Sequence, residues 1–196
     1  MVMILPIDAT FKRLVWTDFA TRQISAPAPG ATATAAMTAV NMAISPNVFH
    51  FQPASFLKQP NFKLTEDPNV TVTLDAPKMW VASWVFSSPP AFQVRLLNHE
   101  QGHYEISMLN AVDIFHELNS IQIGAFADAR AGANAINGMQ TQLFDVQRIH
   151  NKYDTDTNHG VNLIMQTSWN TALLNARVTF VRPALRTALA NAGLFP

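Results

Sequence analysis

The chain has 196 residues, 48% of them apolar, and its 13 Lys and Arg balance its 13 Asp and Glu. This length and composition are typical of one globular domain that can bury its own core. A formal charge of zero gives no sign of the basic excess that nucleic-acid-binding proteins usually carry, so nucleic acid is not an expected partner. The chain has no cysteine, which excludes disulfides and thiolate ligands and leaves His, Asp and Glu as metal ligands.

No segment of the sequence predicts a membrane span or an export signal. Residues 1–7 are apolar, but Lys12 and Arg13 follow them, which is the reverse of the order in a secretory signal. No apolar run approaches the roughly 20 residues that a transmembrane helix needs. We therefore expect a soluble chain without a visible signal peptide, and the pattern leaves its localisation and oligomeric state open.

The first half of the chain has the pattern of strands and loops. Short segments rich in aromatic and β-branched residues predict strands at 48–52, 61–64, 70–74 and 80–86. Residues 25–38 are mostly Ala, Pro, Thr and Gly, which favours an extended connection. The predicted organisation is therefore an N-terminal arm and extended segment over 1–45, followed by strands over 46–87.

The second half changes to a helical period. Ser88 and Pro89 predict the start of a helix that continues to about Asn119. Its expected buried stripe is Val94, Leu97, Tyr104, Met108, Val112 and Phe115. Further helices are predicted over 136–153 and 161–177 and from Pro183 onward. The fold class is thus α+β in a single domain over 1–196, with a mostly β part first and a helical part over 88–196.

The predicted long helix carries the sequence His99-Glu100-Gln101-Gly102-His103, an HExxH motif. Residues four apart on a helix lie on one side, so both imidazoles can reach a single Zn²⁺ ion, and Glu100 projects toward its water. In such a site zinc activates the water and polarises a carbonyl, while the carboxylate acts as general base. The motif therefore predicts a zinc hydrolase with His99 and His103 as ligands and Glu100 as catalytic base.

A catalytic zinc usually has three protein ligands, so a third must come from elsewhere. Glu105 and Glu117 are the only later glutamates, and both lie on the motif's own helix. A third His shortly after the motif is also absent, because Ile106 and Leu109 stand there. The remaining candidates are Asp128, Asp145, His150, Asp154, Asp156 and His159.

Among these candidates we favour His159 as the third zinc ligand. Gly160 follows it and permits the tight turn that would deliver an imidazole from a loop. Asp156 is the second choice and Asp154 the third. Asp, Asn and Thr are also the usual residues of turns and helix caps, so turn chemistry is the alternative for the acidic residues here.

Three segments together resemble a known bacterial family. They are residues 14–19, residues 96–103 with the HExxH motif, and residues 153–160 with Tyr153-Asp154 and His159-Gly160. The family is labelled domain of unknown function 922, and its members are described as zinc-dependent proteases. The resemblance implies a zincin-like α+β domain that cleaves peptide or protein substrates. The position of Asp156 also resembles the ligand Asp of the aspartate-zincins, with His159 where that pattern has Tyr.

The expected function is therefore that of a zinc metallopeptidase, a hydrolase. Tyr153 is a candidate catalytic residue, since its hydroxyl could donate to the oxyanion of the tetrahedral intermediate, although a core tyrosine is the alternative. The alternative for the whole chain is a non-catalytic zincin-like binding or envelope-associated protein with structural zinc or none.

Overall fold

The computed structural model describes residues 11–27, 34–45, 51–53, 62–64, 69–123, 126–143, 146–179 and 183–195. Its strands are β1 Ala20–Arg22, β2 Ala36–Met37, β3 Val40–Ser45, β4 Phe51–Pro53, β5 Phe62–Leu64, β6 Asn69–Leu74 and β7 Trp80–Ala82. Its helices are α1 Pro90–Ile123, α2 Ala129–Leu143, α3 Val146–Thr157, α4 Leu163–Val178 and α5 Ala184–Asn191. The predicted α+β class is confirmed at this level. Among the described helices, none combines the length and apolarity needed to cross a bilayer.

The strands form small sheets. β7 lies between β1, to which it is parallel, and β2, to which it is antiparallel. β3 pairs with β6 and β4 with β5, each pair antiparallel. Three of these strands, β1 to β3, fall within the N-terminal arm and extended segment over 1–45, where the sequence analysis predicted no strand. Residues 48–50 and 61, which belong to two of the predicted strands, lie outside the described residues.

The strand predicted over 80–86 is shorter in the structure. β7 ends at Ala82, and a 3₁₀ turn over Ser83–Ser87 replaces the rest. The turn buries Val85 and leads the chain directly from the sheet into α1. Aromatic and β-branched residues are common in buried segments as well as in strands. Their presence here therefore predicted a longer strand than the structure has.

The start of α1 lies one residue later than predicted. The backbone N–H groups of Phe92 and Gln93 donate to the carbonyl of Pro89, and the first helical residue is Pro90. Ser88 does not cap the helix, because its hydroxyl donates to the Trp84 carbonyl at 3.2 Å.

α1 runs through the centre of the molecule and packs on several sides. Its Leu96 and Met108 join the core formed with β7, whereas Ile106 and Leu109 join the core formed with α3, α4 and α5. Its second half packs on β6 and α2. The single buried stripe was therefore an incorrect expectation, and one of its members, Val94, is 68% exposed. A helix packed on most of its circumference carries little amphipathic periodicity.

The helix predicted over 136–153 is two helices in the structure. α2 ends at Leu143 and α3 begins at Val146, and Asp145 lies outside the described residues. Ile136 and Met139 of α2 pack on the second half of α1, while Ile149 and Tyr153 of α3 pack with α4 and α5. The two helices thus contribute to different cores.

Asp113 joins α1 to the start of α5. Its carboxylate is 2% exposed and accepts hydrogen bonds from the backbone N–H groups of Ala184 at 2.7 Å and Leu185 at 2.9 Å. These are the N–H groups that a helix start leaves without a partner inside the helix. A side chain of one helix thus caps another that is about 70 residues away in sequence.

We expect Asp113→Ala to lower the free energy of unfolding by about 2–4 kcal/mol, because two buried N–H groups lose their acceptor. Urea denaturation monitored by circular dichroism measures the change. Asp128→Ala is the matched control: Asp128 accepts from the Ala131 N–H near an exposed helix start, where a lost cap costs about 1 kcal/mol. Equal destabilisation by the two substitutions would contradict the buried capping role of Asp113.

Candidate metal centre

The site forms where α3 lies across the HExxH segment of α1. α1 presents His99 and His103, one turn apart. α3 presents four residues at spacings of three and four, which place them on one face toward α1. They are His150, Tyr153, Asp154 and Thr157.

Three side chains converge on one point. Oδ1 of Asp154 lies 3.0 Å from Nε2 of His99 and 2.9 Å from Nε2 of His103, and the two Nε2 atoms are 3.2 Å apart. The three ligand atoms all lie within 4.8 Å of one another. Two imidazole nitrogens and a carboxylate oxygen in this arrangement could hold a metal ion.

The electrostatics of the centre suit a cation. Burial would raise the pKa of Asp154, but the hydrogen bonds with His103 and His99 hold it well below its usual value, so the carboxylate is ionised at neutral pH. Burial opposes a charge on His103, yet the hydrogen bond to Asp154 and the charge of Glu100 raise its pKa. The centre thus has a surplus of negative charge that favours a bound proton or cation.

The second ring nitrogen of His99 is fixed by Thr157. The Thr157 hydroxyl lies 3.2 Å from Nδ1 of His99 and donates its one hydrogen to the carbonyl of Tyr153 at 2.7 Å. The hydroxyl must therefore accept from Nδ1–H of His99. Once Nε2 gives up the proton of its hydrogen bond to Asp154, this tautomer directs the Nε2 lone pair at the centre, as a metal ligand requires.

The second ring nitrogen of His103 contacts another histidine. Nδ1 of His103 lies 2.9 Å from Nδ1 of His150, whose Nε2 lies 3.2 Å from the Ser107 hydroxyl. Burial, followed by the charge of His103, lowers the pKa of His150 to about 3, so His150 is neutral at pH 7. A neutral His150 accepts from Nδ1–H of His103 when its own proton is on Nε2 and is donated to Ser107. With Nδ1–H of His103 held by His150, the Nε2 lone pair becomes available to the centre once Nε2 gives up the proton of its hydrogen bond to Asp154.

Tyr153 packs against both motif histidines. Its ring stacks on His99 with centroids 4.7 Å apart and meets His103 edge-on at 5.0 Å. Its hydroxyl donates to the His99 carbonyl at 3.1 Å and accepts from the Gln166 amide at 2.6 Å. Burial raises the pKa of Tyr153 far above its ordinary value. The hydroxyl is buried and already makes two hydrogen bonds. This favours a role for Tyr153 in packing over the predicted contact with an oxyanion.

Gly102, inside the motif, makes the contact between the two helices possible. A Cβ at this position would collide with the hydroxyl end of the Tyr153 ring. The missing side chain lets α3 approach α1 closely, and Asp154 is the next residue after Tyr153.

The chain leaves α3 through a turn of left-handed residues. Asn158, His159 and Gly160 have φ of 46°, 51° and 82°. A Cβ on Gly160 would lie 3.0 Å from Cβ of His99, in addition to the strain of positive φ. This turn folds the chain back over the first histidine of the motif, as Gly160 predicted from the sequence.

The structure brings Asp154 into the centre, whereas the sequence favoured His159 and then Asp156. The His159 ring stands beside the centre, half exposed, with Nδ1 3.5 Å from Oδ1 of Asp154. Asp156 points the other way, bonding Lys152 at 2.9 Å and Nε1 of Trp169 at 3.0 Å. The geometry therefore favours Asp154 as third ligand, and coordination by His159 stays a prediction.

A sequence signal for Asp154 and His150 existed. They stand four apart, the same spacing as His99 and His103, so on a helix both can face one partner helix. The signal was obscured because 136–153 was taken as one helix, which placed Asp154 at its end.

Glu100 lies at the junction of two cavities. The first, here called the apolar cavity, has a volume of about 180 Å³ and is lined by Trp84, Phe92, Leu96 and Val161. The second, the polar cleft, is about 480 Å³ and includes Asp75, Lys78 and His150 in its walls. His99, Glu100 and His159 line both.

Glu100 is almost fully buried, at 3% exposure, and its Oε2 has no hydrogen-bond partner among the residues that the structure describes. A buried carboxylate oxygen without a partner is costly unless a ligand or water satisfies it. A water or ligand in either cavity could supply the missing partner of Oε2.

Comparison of the chain with protein-family models, with curated proteins and with solved structures gave no match.

Asp154→Ala should weaken binding of Co²⁺ or Zn²⁺ by more than the ~10–100-fold that loss of an outer partner causes, because it removes a ligand. Competition against a chelator of known affinity measures the change. Asp156→Ala, two residues further on the same helix, is the control and should bind the metal like the parent. If His159→Ala lost the metal and Asp154→Ala kept it, His159 would be the ligand instead.

His150→Leu should reduce metal affinity by about 10–100-fold, because Nδ1–H of His103 loses its acceptor. His150→Asn should bind nearly as tightly as the parent, because its amide oxygen can take the place of Nδ1 as acceptor. The same competition assay applies, with thermal unfolding of the metal-free proteins as a check on folding. Equal affinities for the Leu and Asn variants would show that the hydrogen bond has no effect.

Proposed function

We propose that this protein is a zinc-dependent peptidase, with His99, His103 and Asp154 as metal ligands and Glu100 as general base. One observation carries the proposal: the buried Glu100 carboxylate, with one oxygen unpartnered, adjoins a group of three side chains able to hold a metal. A structural metal site needs only its ligands, whereas a hydrolytic site also needs a base such as Glu100, which lines both cavities.

Zinc is the metal that the donor set favours. Imidazole nitrogen and carboxylate oxygen are zinc ligands, and three protein ligands leave the fourth position of a tetrahedral site open to water or substrate. When bound, zinc would supply two effects, polarising a substrate carbonyl and making a water acidic enough to be deprotonated at neutral pH.

The chain's own residues would carry out the proton transfers. Glu100 accepts the proton of the attacking water and passes it to the leaving amine, and its burial keeps bulk water from competing for that proton. His159 is half exposed and lines both cavities, so its ring can contact the substrate even if it binds no metal.

The order of elements supports a zincin-like fold and the family resemblance. A sheet precedes the helix that carries HExxH, β7 leads into that helix through one short turn, and the additional ligand comes from a later helix. The cleft on both sides of Glu100 supports a substrate that extends beyond the reacting bond, as a peptide does.

The Glu100→Gln protein should still bind about one zinc per chain. Its rate of peptide cleavage should fall by at least ~100-fold, because the amide cannot accept the proton. Zinc content and the rate of casein or peptide cleavage measure the two effects. Glu117→Gln is the control, since Glu117 is exposed on the same helix and should leave both unchanged.

Cleavage by the Glu100→Gln protein at the parent rate would show that Glu100 is not the base. A parent protein that takes up no zinc, and whose melting temperature a chelator does not change, would favour the non-catalytic alternative.

A further inference from the structure

We infer that the apolar cavity beside Glu100 binds a bulky apolar side chain of the peptide substrate, of the Leu, Met or Phe type, next to the bond that is cut. This inference rests on the proposed function, because it names the substrate class of the same site. Its basis is the position, lining and size of the cavity.

The cavity ends at the reacting groups. His99 and Glu100 line it at one end, and Glu100 also faces the polar cleft. A peptide bond placed at Glu100 therefore has one neighbouring side chain within reach of the apolar cavity and the rest of the peptide over the polar cleft. One side of the scissile bond therefore meets an apolar surface and the other side a polar one.

The lining is apolar and already ordered. Trp84 and Phe92 pack with ring centroids 5.6 Å apart, and Leu96 stands one turn after Phe92 on α1. Leu96 is 4% exposed and belongs to the core with β7. Because the walls are part of the core, they lose little conformational freedom on binding, and most of the apolar contact contributes to affinity.

The volume selects a size of side chain. An engineered apolar cavity of about 150 Å³ in another protein stays dry and binds benzene. A cavity of about 180 Å³ therefore accommodates a leucine, methionine or phenylalanine side chain. A charged side chain would lose its water there, and the ionisable groups among the described lining residues are His99, Glu100 and His159, which lie at or beside the metal centre.

The turn after α3 forms the outer wall. Asn158, His159 and Val161 line the cavity, and Val161 is 60% exposed, so it stands at the opening. The same turn follows Asp154 by only a few residues. The segment from Asp154 to Val161 thus contributes to both the cavity and the metal centre.

The first test is a mass-spectrometric survey of peptide-library cleavage by the zinc-loaded parent. One position beside the scissile bond should be enriched in Leu, Met or Phe. In matched peptides, Leu at that position should give a kcat/KM at least about 10-fold above Ala, the range that small apolar differences in a pocket produce.

The second test alters the opening. Val161→Phe should reduce the preference for Leu over Ala at that position, because the larger ring occupies space at the mouth. Val178→Phe is the matched control: Val178 is 66% exposed on α4, outside the lining, and the preference should not change. Cleavage without preference at either neighbouring position, or equal effects of the two variants, would overturn the inference while leaving the peptidase proposal intact.

The third test separates binding from turnover. The zinc-loaded Glu100→Gln protein is titrated with the same Leu and Ala peptides, and the Leu peptide should bind at least about 10-fold more tightly. If the parent cleaves nothing but this selectivity is present, the peptidase proposal fails and the pocket stands. Absence of both cleavage and selective binding would overturn both.

Discussion

The close contact of α3 with α1 at Gly102 is the constraint on which the site depends. Because Gly102 has no side chain, the Tyr153 ring can lie against the motif and stack on His99. Asp154 is then carried between the two motif histidines. The absent Cβ thus lets two helices packed by apolar contacts also bring together three side chains that could hold a metal ion.

The same contact sets the orientation of the ligands. α3 supplies Thr157 to one ligand histidine and His150 to the other, so both imidazoles turn their Nε2 atoms to the same point. Polar groups buried this deeply are stabilising only if each has a partner, and here the partners form continuous chains. Oε2 of Glu100 and Oε1 of Gln166 are exceptions among the described residues, and Glu100 lines the apolar cavity.

The apolar cores on either side of α1 explain why local pattern predicted some elements and not others. β6 alternates cleanly because one of its faces is buried, and it was predicted almost to the residue. α1 contacts a core on several sides, so its apolar residues follow no single stripe and Val94 was placed wrongly. α2 and α3 were merged because each continues the other's period, although they pack on different cores.

The sequence by itself determined the α+β class, the long helix after Pro89 and the pair His99 and His103 with Glu100, because these follow from spacing within one element. Only the tertiary structure placed Asp154 with the two motif histidines, His159 beside them and Asp156 on another side of the helix. Those three lie within six residues, and adjacent residues of a helix point about 100° apart, so the choice depended on which face of α3 meets α1. The Gly102–Tyr153 contact between the helices, which no local pattern encodes, fixed that face.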